Sequence, residues 1–427
     1  MAEQYKRRRL DGTNNGTADG HDLSPLKVFP NSPSATATEH DRKHWEGFCE
    51  IESEPAFFNV TLKEFGVKGI KVQEVFGLDA ELLAMLPKPV YGLIFLFRWR
   101  QEDPDKHETS CPENVWFANQ TVGNACASVA LLNIVNNIPE IELGENLQQF
   151  KEFTRDFPPP LRGDQINNFE FVKRIHNSFA RKMDMLNGDL TLKNQAKAKK
   201  TKVAYSNGDE DDETAGFHFI AFMPIDNQVW KLDGLERQPL KLGDVKGEDW
   251  LSLVKPELEA RMAAYESDQI EFGLLGLVGD PLLTLSSKLA VNVKTINAVH
   301  ERLDIVVPEW KDFVVDQDAA AEGVIIGPDL IFGLTQEALD KAVLPTAIQD
   351  VLSEPSSSLL IDLRRKLITE QVGLRVNIME EMQSQRLDEE RAAHRRYDYG
   401  PAIQRWLQML SQKGVLKDLV KDAEGGM

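Results

Sequence analysis

A chain of 427 residues is too long for one ordinary hydrophobic core and long enough for a large domain plus a second unit. Its 42% hydrophobic content supports a buried core, while a net charge of −19 repels phosphate backbones and argues against nucleic acid as a partner. Cys49, Cys111 and Cys126 are the only cysteines and lack CxxC spacing, which argues against a disulfide framework or a structural zinc site and fits a reducing compartment.

Residues 1–43 are rich in Ser, Thr, Asn, Gly, Pro and charge without an apolar period, and are expected to form a disordered tail. Within it, Lys6-Arg7-Arg8-Arg9 reads equally as a nuclear import signal or a solvated charge run. The N-terminus lacks the apolar stretch of a secretory signal. From Trp45 the composition turns globular. Val90 to Phe97 is a near-continuous β-type run, expected for a central strand buried on both faces, and is far too short to cross a bilayer, so no membrane association is expected. Asn124 to Val135 reads as a helix with Asn124 as its N-cap. Between Lys182 and Gly216 the pattern disappears into a polar segment, expected to be a disordered stretch or a functional lid. Phe217–Met223, Val229–Leu232 and Phe272–Val278 read as strands, and Trp250, Val254, Leu258, Met262 and Tyr265 mark one face of a helix. This mixture of strands and helices predicts an α+β class. Residues 281–357 are expected to be a connector or insertion. Leu359 to Arg396 keeps a three/four apolar spacing over a long helix, and Ala402 to Val420 forms a second helical stretch after Gly400-Pro401.

The chemistry begins with Cys126. A lone cysteine in an Ala-rich helix is usually a small buried hydrophobe, but in the first helical turn the dipole and free N–H groups stabilise a thiolate. Gln120, six residues upstream, lies in the approach to that helix; it reads either as a donor facing an oxyanion above the sulfur or as an exposed loop amide. In Phe217-His218-Phe219-Ile220, side chains alternate across a strand, and Asp226-Asn227 suits a two-residue hairpin turn. That turn places Ile220 opposite Asp233 and makes His218 a diagonal neighbour of Asp233, roughly 5–8 Å apart at the backbone. An aspartate there fixes an imidazole tautomer and stabilises imidazolium. The alternatives are a core histidine bonded to backbone and a turn aspartate before Gly234. His176 lies on a helical stretch without an acidic partner and reads as structural. No HExxH, P-loop or dinucleotide glycine pattern occurs, so no cofactor or metal is expected.

Trp116-Phe117-Ala118-Asn119-Gln120-Thr121-Val122-Gly123-Asn124-Ala125-Cys126-Ala127 resembles the active-site segment of the ubiquitin carboxyl-terminal hydrolases. Phe217-His218-Phe219 and Leu232-Asp233-Gly234-Leu235 resemble that family's histidine and aspartate segments, and the likeness runs over roughly residues 45–280. It implies a papain-like α–β–α catalytic domain with an antiparallel central sheet over 44–280, in which 182–216 is the crossover loop. It also implies Cys126 as nucleophile, His218 as general base and acid, Asp233 as the residue orienting the histidine, and Gln120 as oxyanion donor. His394-Arg395-Arg396-Tyr397-Asp398-Tyr399-Gly400-Pro401 and the helix after it resemble the C-terminal helical extension, here 358–424, of the long family members. The resemblance implies a deubiquitinating thiol protease that cuts after the terminal glycine of ubiquitin, in cytoplasm and nucleus. Its implied partners are ubiquitin and, through the extension, a ubiquitin receptor of the proteasome regulatory particle. A chromatin-associated deubiquitinase and an inactive ubiquitin-binding scaffold are the alternatives. Gly279-Asp280-Pro281 departs from the usual end of the family's domain.

Overall fold

A computed structural model describes residues 36–98, 110–202, 217–245, 247, 249–266, 272–314, 323–354 and 356–424. Lys6 to Arg9 and the first 35 residues of the expected tail lie outside them. Helix α1 (Glu39–His44) begins within that tail because Thr38 closes a capping box: its hydroxyl accepts from the Asp41 N–H, and the Asp41 carboxylate accepts from the Thr38 N–H. Helix α2 (Pro55–Phe65) starts with proline at its first turn and stops at Gly66, whose φ of 85° suits a residue without Cβ.

Six strands form one antiparallel sheet: β1 (Ile70–Glu74), β2 (Val90–Arg98), β3 (Phe217–Ile225), β4 (Gln228–Leu232), β5 (Leu240–Asp244) and β6 (Gly273–Gly279), in the order β1-β6-β2-β3-β4-β5. β2 lies inside the sheet and is buried on both faces, Ile94 toward one layer and Leu93, Phe95 and Phe97 toward the other. That accounts for its unbroken apolar run. Helix α3 (Ala80–Ala84) lies on the second face, and α4 (Cys126–Val135), α5 (Glu145–Phe153), α6 (Pro159–Asn168) and α7 (Glu170–His176) on the first. Helix α8 (Lys182–Lys202) occupies most of the segment expected to be structureless; residues 203–216 lie outside the described residues. Its polar residues are spread all round the helix, so no apolar period announces it. Helix α9 (Leu251–Glu266) covers the second face with Leu251, Val254 and Leu258, joined by Trp250 just before it. The result is an α–β–α arrangement within the α+β class.

Residues 281–357 hold more than a connector. Helix α10 (Pro281–Val306) starts with Asp280 accepting from the Leu282 N–H and proline at its first turn, so the unusual Gly279-Asp280-Pro281 is a helix start. Helices α11 (Trp310–Val314), α12 (Gln336–Lys341) and α13 (Thr346–Ser353) follow, then the 40-residue α14 (Ser357–Arg396). Leu289 and Val293 of α10 cluster with Leu374 and Ile378 of α14, whereas Ile296, Val299 and Leu303 cluster with Leu360 and Leu367. The two helices therefore run antiparallel. Beyond this pair, α14 continues onto α2 and the start of β1, held by Lys71–Glu381 (2.5 Å), Arg395–Glu52 (2.8 Å) and Arg396–Glu64 (2.7 Å). The final stretch is two helices, α15 (Gly400–Gln412) and α16 (Val415–Glu424), divided at Gly414 with φ 73°. Among the described residues no helix is long and apolar enough to cross a membrane.

Candidate active site

The loop leading into α4 is braced by the end of α4 and the turn after it. Asn133 accepts from the Ala118 N–H (2.8 Å) and donates to the Ala118 carbonyl (3.2 Å), and Asn137 does the same for Trp116 (2.7 Å each way). Two carboxamides thus act as a surrogate strand for residues 116–118. Buried Arg162 of α6 donates to the Val115 and Phe117 carbonyls from below (3.2 Å each). The chain then turns through Asn124 at φ 61°, a left-handed conformation that asparagine tolerates. Asn124 is not the N-cap; Ala125 takes that place and Cys126 is the first helical residue. The sulfur thus sits where unpaired N–H groups and the positive end of the helix dipole converge. Burial pushes the Cys49 thiol up to about 12 and also raises that of Cys111.

The histidine arrives from the hairpin β3–β4. Asp226 (φ 47°) and Asn227 (φ 62°) form the two-residue turn, closed by Ile225 opposite Gln228. β3 therefore runs through Pro224 and Ile225, two residues further than expected. The ladder continues to Ala221 opposite Leu232, which puts Ile220 opposite Asp233 one step later. His218, on the same face, donates from Nε2 to Asp233 Oδ1 at 2.7 Å. That oxygen also accepts from the Leu235 N–H (3.0 Å), so the carboxylate is fixed by its own loop. Both side chains are buried, at 3% and 5% exposure. Burial alone lowers the pKa of a histidine, but the hydrogen-bonded Asp233 carboxylate and the nearby Cys126 thiol outweigh it and raise His218 to about 9. Asp233 is held below the usual carboxylate range: burial opposes this, and His218 wins.

Cys126, His218 and Asp233 thus meet at the N-terminus of α4, with Nε2 taken by the carboxylate and Nδ1 left for the sulfur. Gln120 is joined to the same place by its main chain, its N–H donating to the Gly234 carbonyl at 2.7 Å. Its side-chain Nε2 donates one hydrogen to the Val122 carbonyl (3.0 Å), which fixes the carboxamide plane and leaves a second N–H. His176 lies apart, fully buried between Ser128 and the Cys49 carbonyl, and burial lowers it to about 4. Asn133 near the end of α4 and Asn137 just beyond it form a bracing pair not singled out from sequence, although two amides four apart at the end of an apolar helix are a legible sign of it. A thiol at a helix start, a base and a buried carboxylate in series suit nucleophilic acyl transfer.

Residues 48–263 match the family model described as ubiquitin carboxyl-terminal hydrolase, family 1. The chain is 38% identical over 258 residues to ubiquitin carboxyl-terminal hydrolase isozyme L5 of Dictyostelium discoideum, covering 60% of this chain and 69% of that protein. It is 38% identical over 234 residues to ubiquitin carboxyl-terminal hydrolase ubh-4 of Caenorhabditis elegans, covering 54% and 66%. Against ubiquitin carboxyl-terminal hydrolase BAP1 of Xenopus tropicalis the identity is 30% over 295 residues, covering 65% of this chain and 40% of that one.

Proposed function

Given that this chain belongs to family 1 of the ubiquitin carboxyl-terminal hydrolases, which are cysteine peptidases acting on ubiquitin, we propose that Cys126, His218, Asp233 and Gln120 carry its reaction. The observation that carries this reading is the series Cys126–His218–Asp233 at the start of α4. His218 holds the proton of Cys126, and the thiolate attacks the carbonyl carbon of ubiquitin's terminal glycine. The free N–H of Gln120 and the backbone N–H of Cys126 receive the developing oxyanion. As the C–N bond to the leaving amine breaks, imidazolium returns its proton to that amine, and water then hydrolyses the thioester with His218 as base. Asp233 keeps Nδ1 aimed at sulfur and stabilises the imidazolium. Residues 182–216, of which α8 (Lys182–Lys202) is described, correspond to the family's crossover segment and precede His218 in the sequence.

Catalysis belongs to 44–280, and α15 with α16 form the docking end of the extension. Ile403, Trp406, Leu407, Leu419 and Val420 are exposed there, an apolar face suited to a helical adaptor domain of a proteasomal ubiquitin receptor. That partner places the protein in cytoplasm and nucleus. Replacing Cys126→Ala is expected to remove hydrolysis of a ubiquitin C-terminal fluorogenic amide by about 10⁴-fold or more; full retention overturns the site. Capture of chromatin adaptors instead of proteasome regulatory subunits, or capture unaffected by Trp406→Ala, overturns the partner.

A further inference from the structure

Asn119 is bonded on both sides of a seam that runs through the site. On one side its N–H donates to the Pro159 carbonyl of α6 at 3.1 Å. A Cβ on Gly163 of that helix would lie 2.0 Å from the Asn119 carbonyl oxygen, so the main chain at 119 rests directly on α6 and has nowhere to retreat. On the other side its carboxamide nitrogen donates to the Glu236 carbonyl at 2.6 Å and to the Gly234 carbonyl at 3.3 Å. The Gly234 carbonyl is the same one that accepts from the Gln120 N–H. Gly234 itself has no room for a side chain: a Cβ there would meet Val129 Cγ1 of α4 at 2.9 Å and the Gln120 nitrogen at 3.2 Å. The loop after Asp233 is therefore squeezed between α4 and residues 119–120, and the Asn119 carboxamide fastens it.

We propose that Asn119 is a positioning residue for the hydrolysis, clamping the 119–120 segment to the 234–236 loop so that the Gln120 amide is presented at a fixed place. The inference rests on the reading of Gln120 as oxyanion donor. Asn119 touches no reacting atom in this scheme; it acts through its neighbour. Only a side chain with two N–H donors and a short arm reaches both carbonyls from a main chain pinned by α6. Aspartate, nearly the same shape, presents oxygens to those carbonyls and cannot replace it.

The test is a double-mutant cycle in the full chain on the ubiquitin C-terminal fluorogenic amide, with folding of each variant checked by circular dichroism. Gln120→Ala is expected to lower kcat by about 10²-fold. Asn119→Ala is expected to lower kcat by about tenfold with KM changed by less than about threefold, the loss expected when a catalytic group is displaced by a fraction of an ångström. In the Gln120→Ala background the same change is expected to cost less than about threefold, because the group it positions is gone. Asn119→Gln, which keeps the donor on a longer arm, is expected to fall between wild type and Asn119→Ala. It takes the place of Asn119→Ala in the cycle if the alanine variant does not fold. A loss from Asn119→Ala that multiplies undiminished onto Gln120→Ala overturns the inference and leaves the reading of Gln120 standing. A Gln120→Ala enzyme with wild-type kcat overturns the reading of Gln120 itself, and the inference with it.

Discussion

Helix α4 presents Cys126 to one buried histidine and Ser128 to another, and the two pockets reach opposite charge states. His176 is entirely buried, with Nε2 at 2.8 Å from the Cys49 carbonyl and Nδ1 at 2.8 Å from Ser128 Oγ. A carbonyl only accepts, so Nε2 carries the hydrogen, Nδ1 accepts from the serine hydroxyl, and the ring is neutral. Desolvation then lowers it to about 4. His218 is nearly as buried, yet Asp233 and Cys126 raise it to about 9. Burial is common to both. What separates a structural imidazole from a candidate base is a carboxylate on the ring nitrogen that faces away from the sulfur.

Between the two pockets, the largest expected effect comes from making that of His218 resemble that of His176. Asp233→Asn keeps the size of the side chain but removes the charge that outweighs burial. It is expected to lower kcat/KM by about 10³- to 10⁴-fold and to drop the His218 pKa from about 9 toward the acid side of an ordinary histidine. In the wild type, hydrolysis should decline on the alkaline side as His218 loses its proton near 9, because the leaving amine then has no proton donor. A pH–rate profile of the variant that keeps this alkaline limb in place refutes the role given to Asp233.

Next in size is the opposite pH dependence of the two histidines in stability. The folded pKa of His176, about 4, lies below its unfolded value, so the unfolded chain binds a proton first and stability falls as pH drops from about 6.5 to about 4. The full loss is on the order of 3 kcal/mol for such a shift. His218 has the other sign: its folded pKa is raised, so its contribution is complete below about 6.5 and is lost as pH rises through about 9. Urea unfolding at pH 5 and pH 7 checks the first half. His176→Gln is expected to be less stable than wild type at pH 7 and to show a shallower acid decline. An acid decline as steep as in the wild type means that His176 is not the group that titrates.

Much of this pair of pockets was legible in the sequence, for local reasons. Asp226-Asn227 specifies a two-residue turn, the turn sets the register, and the register brings His218 to Asp233 across 15 positions of chain. The absence of an acidic partner for His176 was equally readable. The apolar run of β2 and the faces of α9 and α14 followed from periodicity. Asn124 reads as an N-cap yet stands one residue before it, because asparagine suits both an N-cap and a left-handed residue and only the main chain decides between them. α8 carries no apolar stripe that a periodicity could reveal, because its few apolar residues are scattered among polar ones. α10 was detectable from Asp280-Pro281 and from Leu282, Leu285, Leu289, Val293, Ile296, Val299 and Leu303 at three/four spacing, a pattern obscured by the irregular sequence that follows it. The Asn119 clamp joins residues 115 and 117 positions apart, and no local pattern encodes it.

The smallest expected effect separates the two pockets most sharply. Ser128→Ala removes the hydroxyl that donates to His176 Nδ1 and leaves a buried acceptor unpaired, at a cost of about 1–3 kcal/mol in stability. Cys126 sits two residues earlier on the same helix, but its place is set independently by Asn133 and Asn137 gripping residues 116–118 and by the hairpin bringing His218. Hydrolysis by the folded variant is therefore expected to stay within about twofold of wild type, because the lost bond involves neither the Cys126 sulfur nor the His218 ring. Melting temperature and kcat/KM measured on the same sample decide the matter. A variant that keeps its stability but loses activity shows that Ser128 and His176 set the angle of α4 for catalysis, and the two histidines then belong to one site.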